Sequence, residues 1–164
     1  MAGSDWRAER HNWIGAVKQI DAPMELVRRE GGLSVFRRRA DGINPPSLVV
    51  LADLDDPPAA QQLTREFALT RDLDADYVLR PRDLVTIDGR TALIIDDHNA
   101  QPLSEKLGQP LPVARLLRWG IGLAQALGHI HGKGLIHRNL SPDAVWIDPS
   151  DRVRVDMPRL RLAA

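Results

Sequence analysis

One stretch of this chain constrains the fold more than any other. From Pro112 to His131, Val113, Leu116, Leu117, Ile121, Ala124, Leu127 and Ile130 recur at spacings of three and four, and Gly132 and Gly134 follow as stop signals. That pattern predicts one long amphipathic helix whose apolar face is buried against something. Nearly everything before it reads differently. Met24–Val27, Leu33–Arg37, Ser47–Ala52, Tyr77–Arg80, Leu84–Ile87 and Thr91–Ile95 are short β-type runs. Asp88-Gly89 predicts a tight hairpin, because that pair tolerates positive φ, and Asp41-Gly42 with Pro45-Pro46 a looser turn. One helix interrupts the strands, from Pro58 to about Leu73, entered through Asp55-Asp56 with Leu63, Phe67 and Thr70 on one face.

After Ile95 the texture is helical: a turn at Leu103–Leu107, then the long helix, then Val145–Ile147 and Val153–Val155 joined by the turn residues Asp148-Pro149-Ser150-Asp151. The expected fold class is therefore α+β, a β-rich small lobe with one helix followed by a helical part. The expected divisions are a leader at 1–23, a small lobe at 24–96 and a partial large lobe at 97–164. A chain of 164 residues accommodates one domain or one compact pair of lobes.

Charge and composition exclude several classes. Lys+Arg and Asp+Glu balance at 22 each, which gives no footprint for nucleic acid or an acidic membrane surface. With no cysteine there is no disulfide framework, no Cys-based zinc site and no thiol nucleophile, and an intracellular protein is the simpler reading. No apolar run nears the roughly 20 residues of a membrane helix, and the polar N-terminus does not resemble a signal peptide, so a cytoplasmic location is expected. The basic residues are almost all arginine; Lys18, Lys106 and Lys133 are the only lysines.

The chemistry-bearing segment follows the long helix. Gly134-Leu135-Ile136-His137-Arg138-Asn139-Leu140-Ser141-Pro142-Asp143-Ala144-Val145-Trp146-Ile147 resembles the catalytic loop of the protein kinases, H-R-D-L-x-x-x-N, which also lies between a long helix and a hairpin leading to D-F-G. Glu30-Gly31-Gly32-Leu33-Ser34-Val35 resembles the glycine-rich loop, Leu48–Leu51 the third strand, the helix carrying Arg65-Glu66-Phe67 the one after it, and Leu93–Asp96 the hinge. The resemblance runs from about Leu26 to about Leu162, and is similar in kind to the kinase-like N-terminal modules of large bacterial multidomain signalling proteins.

The resemblance implies a phosphate clamp, a base and two metal ligands, and each can be sought in turn. Ala52 stands at the third-strand lysine position, with Glu66 as the helix glutamate that would pair with it. Asn139 stands at the catalytic aspartate, and an amide is no base at neutral pH. Ala144 stands at the metal-binding asparagine and Asp143 is its neighbour. For D-F-G, a gapless alignment gives Met157-Pro158-Arg159, and a one-residue deletion gives Asp156-Met157-Pro158, which alone keeps a carboxylate. Gly31-Gly32 is not a full G-x-G-x-x-G. The candidate site residues are thus His137, Arg138 and Asn139 in a degenerate catalytic loop, and Gly31, Gly32, Ala52, Glu66, Ala144 and Asp156 in a degenerate nucleotide site.

Weaker constellations have plainer readings. His129, His131 and His137 lack the i, i+4 spacing of a helical metal pair, and no metal site is expected. Arg37-Arg38-Arg39 and Arg152, Arg154, Arg159 and Arg161 read as solvated strand faces. Ser141 with His137 completes no triad. The expectation is a catalytically impaired, pseudokinase-like module that binds a protein partner, with ATP and Mg as the cofactors the resemblance implies for an intact site. The alternatives are a divergent ATP-dependent Ser/Thr kinase and a fragment of a longer protein, since the chain stops soon after the D-F-G position. An exposed apolar patch on the long helix, and self-association through it, are also expected.

Overall fold

The computed structural model describes residues 23–40, 45–156 and 161–162. The expected leader up to residue 22, the Asp41-Gly42 turn and the Met157-Pro158-Arg159 alternative fall outside these residues. Five antiparallel strands form the main sheet: β1 (Met24–Glu30), β2 (Leu33–Arg38), β3 (Ser47–Ala52), β4 (Pro81–Ile87) and β5 (Arg90–Asp96), in spatial order β1-β2-β3-β5-β4. All six residues of β3 are buried, as befits a central strand packed on both faces. Asp88 and Gly89, both at positive φ, make the predicted tight turn between β4 and β5.

Helix α1 (Pro57–Thr70) lies across one face of the sheet. Asp56 caps it by accepting a hydrogen bond from Ala59 N at 3.0 Å, and the two prolines occupy the first turn, where their missing N–H groups cost nothing. The helix stops three residues before the predicted Leu73. Leu73 N instead bonds Thr70 O at 3.0 Å, and the Leu73 side chain leaves for a separate apolar cluster with Ile130 and Leu135. The predicted strand at Tyr77–Arg80 reduces to one parallel bridge, Val78 to Val155, because the neighbour it pairs with is a three-residue strand.

Beyond the sheet come β6 (Gln101–Pro102), a single 3-10 turn at Leu103–Lys106, α2 (Val113–Gly132), β7 (Leu135–Ile136), β8 (Val145–Ile147), β9 (Val153–Val155) and β10 (Arg161–Leu162). The β8–β9 hairpin forms as the turn residues predict. It packs on α2 so closely that a Cβ on Gly122 would lie 3.0 Å from Val153 Cγ2.

That contact selects the buried face of α2, and the outcome corrects the expected one. Trp119, Ala126 and Ile130 are buried, with Leu123 and Leu127 partly so. Val113, Leu116, Leu117 and Ile121 are 56–70% exposed and Ala124 is also exposed, since the small hairpin reaches only the neighbouring stripe. The expected exposed apolar patch is therefore present. Among the described residues, no helix is long and apolar enough to cross a membrane.

Candidate functional site

The site is assembled from the far ends of the described chain. In β1 the register slips between Leu26 and Arg28, so that Leu26 faces Phe36 but Arg28 faces Val35. Such a bulge re-aims the side chains around it. An unbroken ladder would set Arg28 opposite Ser34; the slip sets it on the face of Val35, a member of the core between the sheet and the catalytic-loop segment. From there the guanidinium spans the cleft. Its NH2 is ion-paired with Asp156 Oδ2, and its NH1 donates to the Asp143 carbonyl at 2.9 Å. The two charged side chains are only 19% and 10% exposed.

Asp156 follows β9 directly and is held by its backbone. Its N–H donates to Ala144 O at 2.8 Å, and its carbonyl accepts from His137 Nε2. That bond assigns the tautomer: Nδ1 of His137 is the acceptor, at 3.4 Å from Asn139 N. His137 is buried, as the reading of a bracing residue implies. Arg138 is exposed at φ +57°, and Asn139 is half-buried.

Glu66 enters from α1 and is 5% exposed. Burial pushes its carboxyl well above the ordinary value, the negative charge of Asp156 pushes it the same way, and Arg28 pulls it back. Its Oε2 has no hydrogen-bond partner among the described residues. Sequence reasoning placed a lysine-seeking glutamate here, and the residue that meets it electrostatically is an arginine from β1.

The remaining predicted residues fall as follows. Ala52 is buried opposite Leu33 and offers no cation. Gly31 and Gly32 have φ of +55° and +74° and form a two-residue hairpin turn, Glu30 pairing with Leu33. This turn rests on the start of α1: Gly32 O accepts from Asp53 N at 2.8 Å, and a Cβ on Gly32 would lie 2.0 Å from Asp56 Oδ2. Ala144 is buried without a ligand atom, and the neighbouring Asp143 carboxylate accepts from Ser104 Oγ at 2.5 Å.

These residues do not fit a magnesium ion. The one carboxylate at the expected place is engaged by Arg28, the expected amide ligand is an alanine, and no group of three His, Asp or Glu among the described residues is arranged to hold a metal. Of the three histidines, His129 stacks on Tyr77 at 4.9 Å and accepts from Asp74 N, His131 is exposed, and His137 braces the loop.

The arginine clusters divide: Arg39 and Arg152 are exposed as expected, whereas Arg38 and Arg154 are buried and Arg37 is half-buried. Arg37 pairs with Asp97 at 2.8 Å, Arg152 with Asp76, and Arg154 with Asp148 at 2.9 Å, and Arg154 is buried. Arg159 and the side chain of Arg161 lie outside the described residues. Two residues escaped sequence reasoning altogether. Arg28 was hidden by the search for a lysine, although the near-absence of lysine is itself the signal to look for an arginine. Trp146, two residues past Ala144, is 1% exposed and belongs to the apolar cluster of Leu33, Val35, Val50, Ala52, Ile95 and Ala100.

No family model matches the chain. It is 31% identical over 115 residues to a CTP synthase of Rubrobacter xylanophilus, covering 65% of this chain and 19% of that protein. It is 32% identical over 94 residues to the serine/threonine-protein kinase pkn2 of Myxococcus xanthus, covering 57% of this chain and 11% of that one. The chain thus spans a fifth or less of the curated relatives it matches. Among solved structures, the PknI kinase domain of Mycobacterium tuberculosis superposes with a TM-score of 0.62 at 19% identity, over 86% of this chain and 60% of that one. The fold of this chain is protein-kinase-like.

Proposed function

We propose that this chain is a catalytically impaired kinase-like module that acts by binding a protein partner in the cytoplasm. The observation that carries the reading is the ion pair between Arg28 and Asp156. It engages the carboxylate at the expected metal-ligand position, in a site whose lysine, base and amide positions are Ala52, Asn139 and Ala144. Phosphoryl transfer depends almost wholly on preorganised charge and positioning, so a site without these groups has little to offer a transition state. The exposed apolar residues of α2 support the binding half of the proposal, because contiguous apolar surface is uncommon on a free monomer.

The likeness to a serine/threonine kinase and the retained Asp156 favour one other reading, a divergent kinase. Phosphate transfer from radiolabelled Mg-ATP to a generic protein substrate separates the two. No transfer above a heat-killed control is expected. Transfer abolished by Asp156→Ala and kept by a surface control such as Arg39→Ala contradicts the impaired reading.

A further inference from the structure

We infer that the cleft between the sheet and the catalytic-loop segment is occupied by the chain's own side chains, with Arg28 in its polar half and Trp146 in its apolar half, so that the domain closes without a ligand. This deepens the reading above by naming what fills the site.

Three observations point the same way. Arg28 reaches across the cleft to two partners more than a hundred residues away in sequence, the Asp143 carbonyl and the Asp156 carboxylate. The cation meets the Asp156 carboxylate directly and also bears on the buried Glu66 carboxyl, whose protonation it opposes. Those are the demands that a metal ion and a clamp lysine meet in phosphoryl-transfer sites, and here one guanidinium meets them. Secondly, the bulge in β1 turns Arg28 inward, at the cost of a disrupted ladder. Thirdly, the Trp146 side chain comes from β8 on the far side of the cleft yet is buried in the cluster built by β2, β3 and β5. Its indole bridges the two sides through apolar contact, as Arg28 does through charge.

A double-mutant cycle on the full chain tests the polar half. Arg28→Gln and Asp156→Asn are each expected to melt about 5 °C or more below the wild type, and the pair to lose clearly less than the sum of the singles, because removing one partner strands the other in a buried place. Additive losses, or singles that melt with the wild type, overturn the proposal. Where a single variant is too unstable to melt cooperatively, the uncharged pair is still expected to fold, and its failure to do so overturns the proposal as well. Manganese ion alone at millimolar concentration is expected to leave the wild-type melt unchanged; a rise that Asp156→Asn removes means the carboxylate was open to a metal.

The apolar half is read by 19F spectra of the chain labelled with 5-fluorotryptophan, the Trp146 signal being assigned with Trp146→Phe. Millimolar ATP is expected to leave that signal in place; a shift confined to it means the indole can be displaced, against the proposal. The two readings fail separately. Phosphate transfer by the wild type contradicts impaired catalysis and leaves the coupling of Arg28 to Asp156 untouched, whereas zero coupling removes the clasp and leaves Ala52, Asn139 and Ala144 as they are.

Discussion

At the scale of single residues, two carboxylates answer acid in opposite ways. Glu66 is raised by burial, with Asp156 adding to the shift and Arg28 opposing it. Below its ordinary value of 4.5 the folded and unfolded chains both carry the proton. Above it only the unfolded chain releases one, so this group erodes stability as pH rises toward its folded value. Glu66→Gln is expected to match the wild type at about pH 4 and to melt higher from about pH 6 upward, as melts across that range would show. Asp148 has the reverse sign. Burial would raise it, but hydrogen bonds from Ser150, Arg154 and Arg152 outweigh that and hold it at about 2, against an ordinary 3.8. Its contribution is present above pH 3.8 and lost as pH falls through about 2. Asp148→Asn is expected to cost roughly 1 kcal/mol at neutral pH in urea unfolding, solvent screening reducing the full effect of the shift, and to flatten the acid limb.

The residue scale also marks where sequence reasoning stopped short. His137 was legible as a brace because its role needs only its place in the loop, and Ala52, Asn139 and Ala144 were legible as losses because a substituted motif position is visible by itself. Arg28 was not. Its inward aim depends on a one-residue slip in β1 against β2, and nothing in Met24–Glu30 announces a bulge. Trp146 was equally silent, since alternation along a three-residue strand cannot say which of two cores a side chain enters.

At the scale of elements, the β1–β2 turn and α1 depend on each other. Gly32 sits at φ +74° with its α-carbon against the Asp56 carboxylate that caps α1. Gly32→Ala therefore strains the turn and displaces the cap together, at an expected cost of roughly 2–3 kcal/mol measured by urea unfolding. Helix α2 illustrates a different limit of periodicity. The three-and-four spacing correctly located the helix but offered a broad apolar face, and only the β8–β9 hairpin selects the stripe through Trp119, Ala126 and Ile130. The unselected residues make a clean prediction. Leu117→Ser or Ile121→Ser is expected to change folding free energy by less than about 0.5 kcal/mol, yet to reduce any self-association seen by sedimentation velocity. A loss of stability as large as that of a core truncation would show that this face is covered in the folded chain.

At the scale of the whole molecule, the architecture was readable because its signals are local: Asp-Gly at the β4–β5 turn, the prolines opening α1, and the turn residues between β8 and β9. The way its parts close on one another was not, because that closure is made by an ion pair and an indole whose partners lie far away in sequence. Such long-range contacts tie the sheet to the catalytic-loop segment with the cleft between them filled. If Arg28 and Trp146 fill the cleft, nucleotide has no place to bind, and a melting titration with ATP, with and without magnesium, reads this out. The transition is expected to stay unchanged at millimolar ATP under both conditions. A saturable, magnesium-dependent rise of about 3 °C or more would contradict it, since only a ligand bound to the folded state raises the transition in that way.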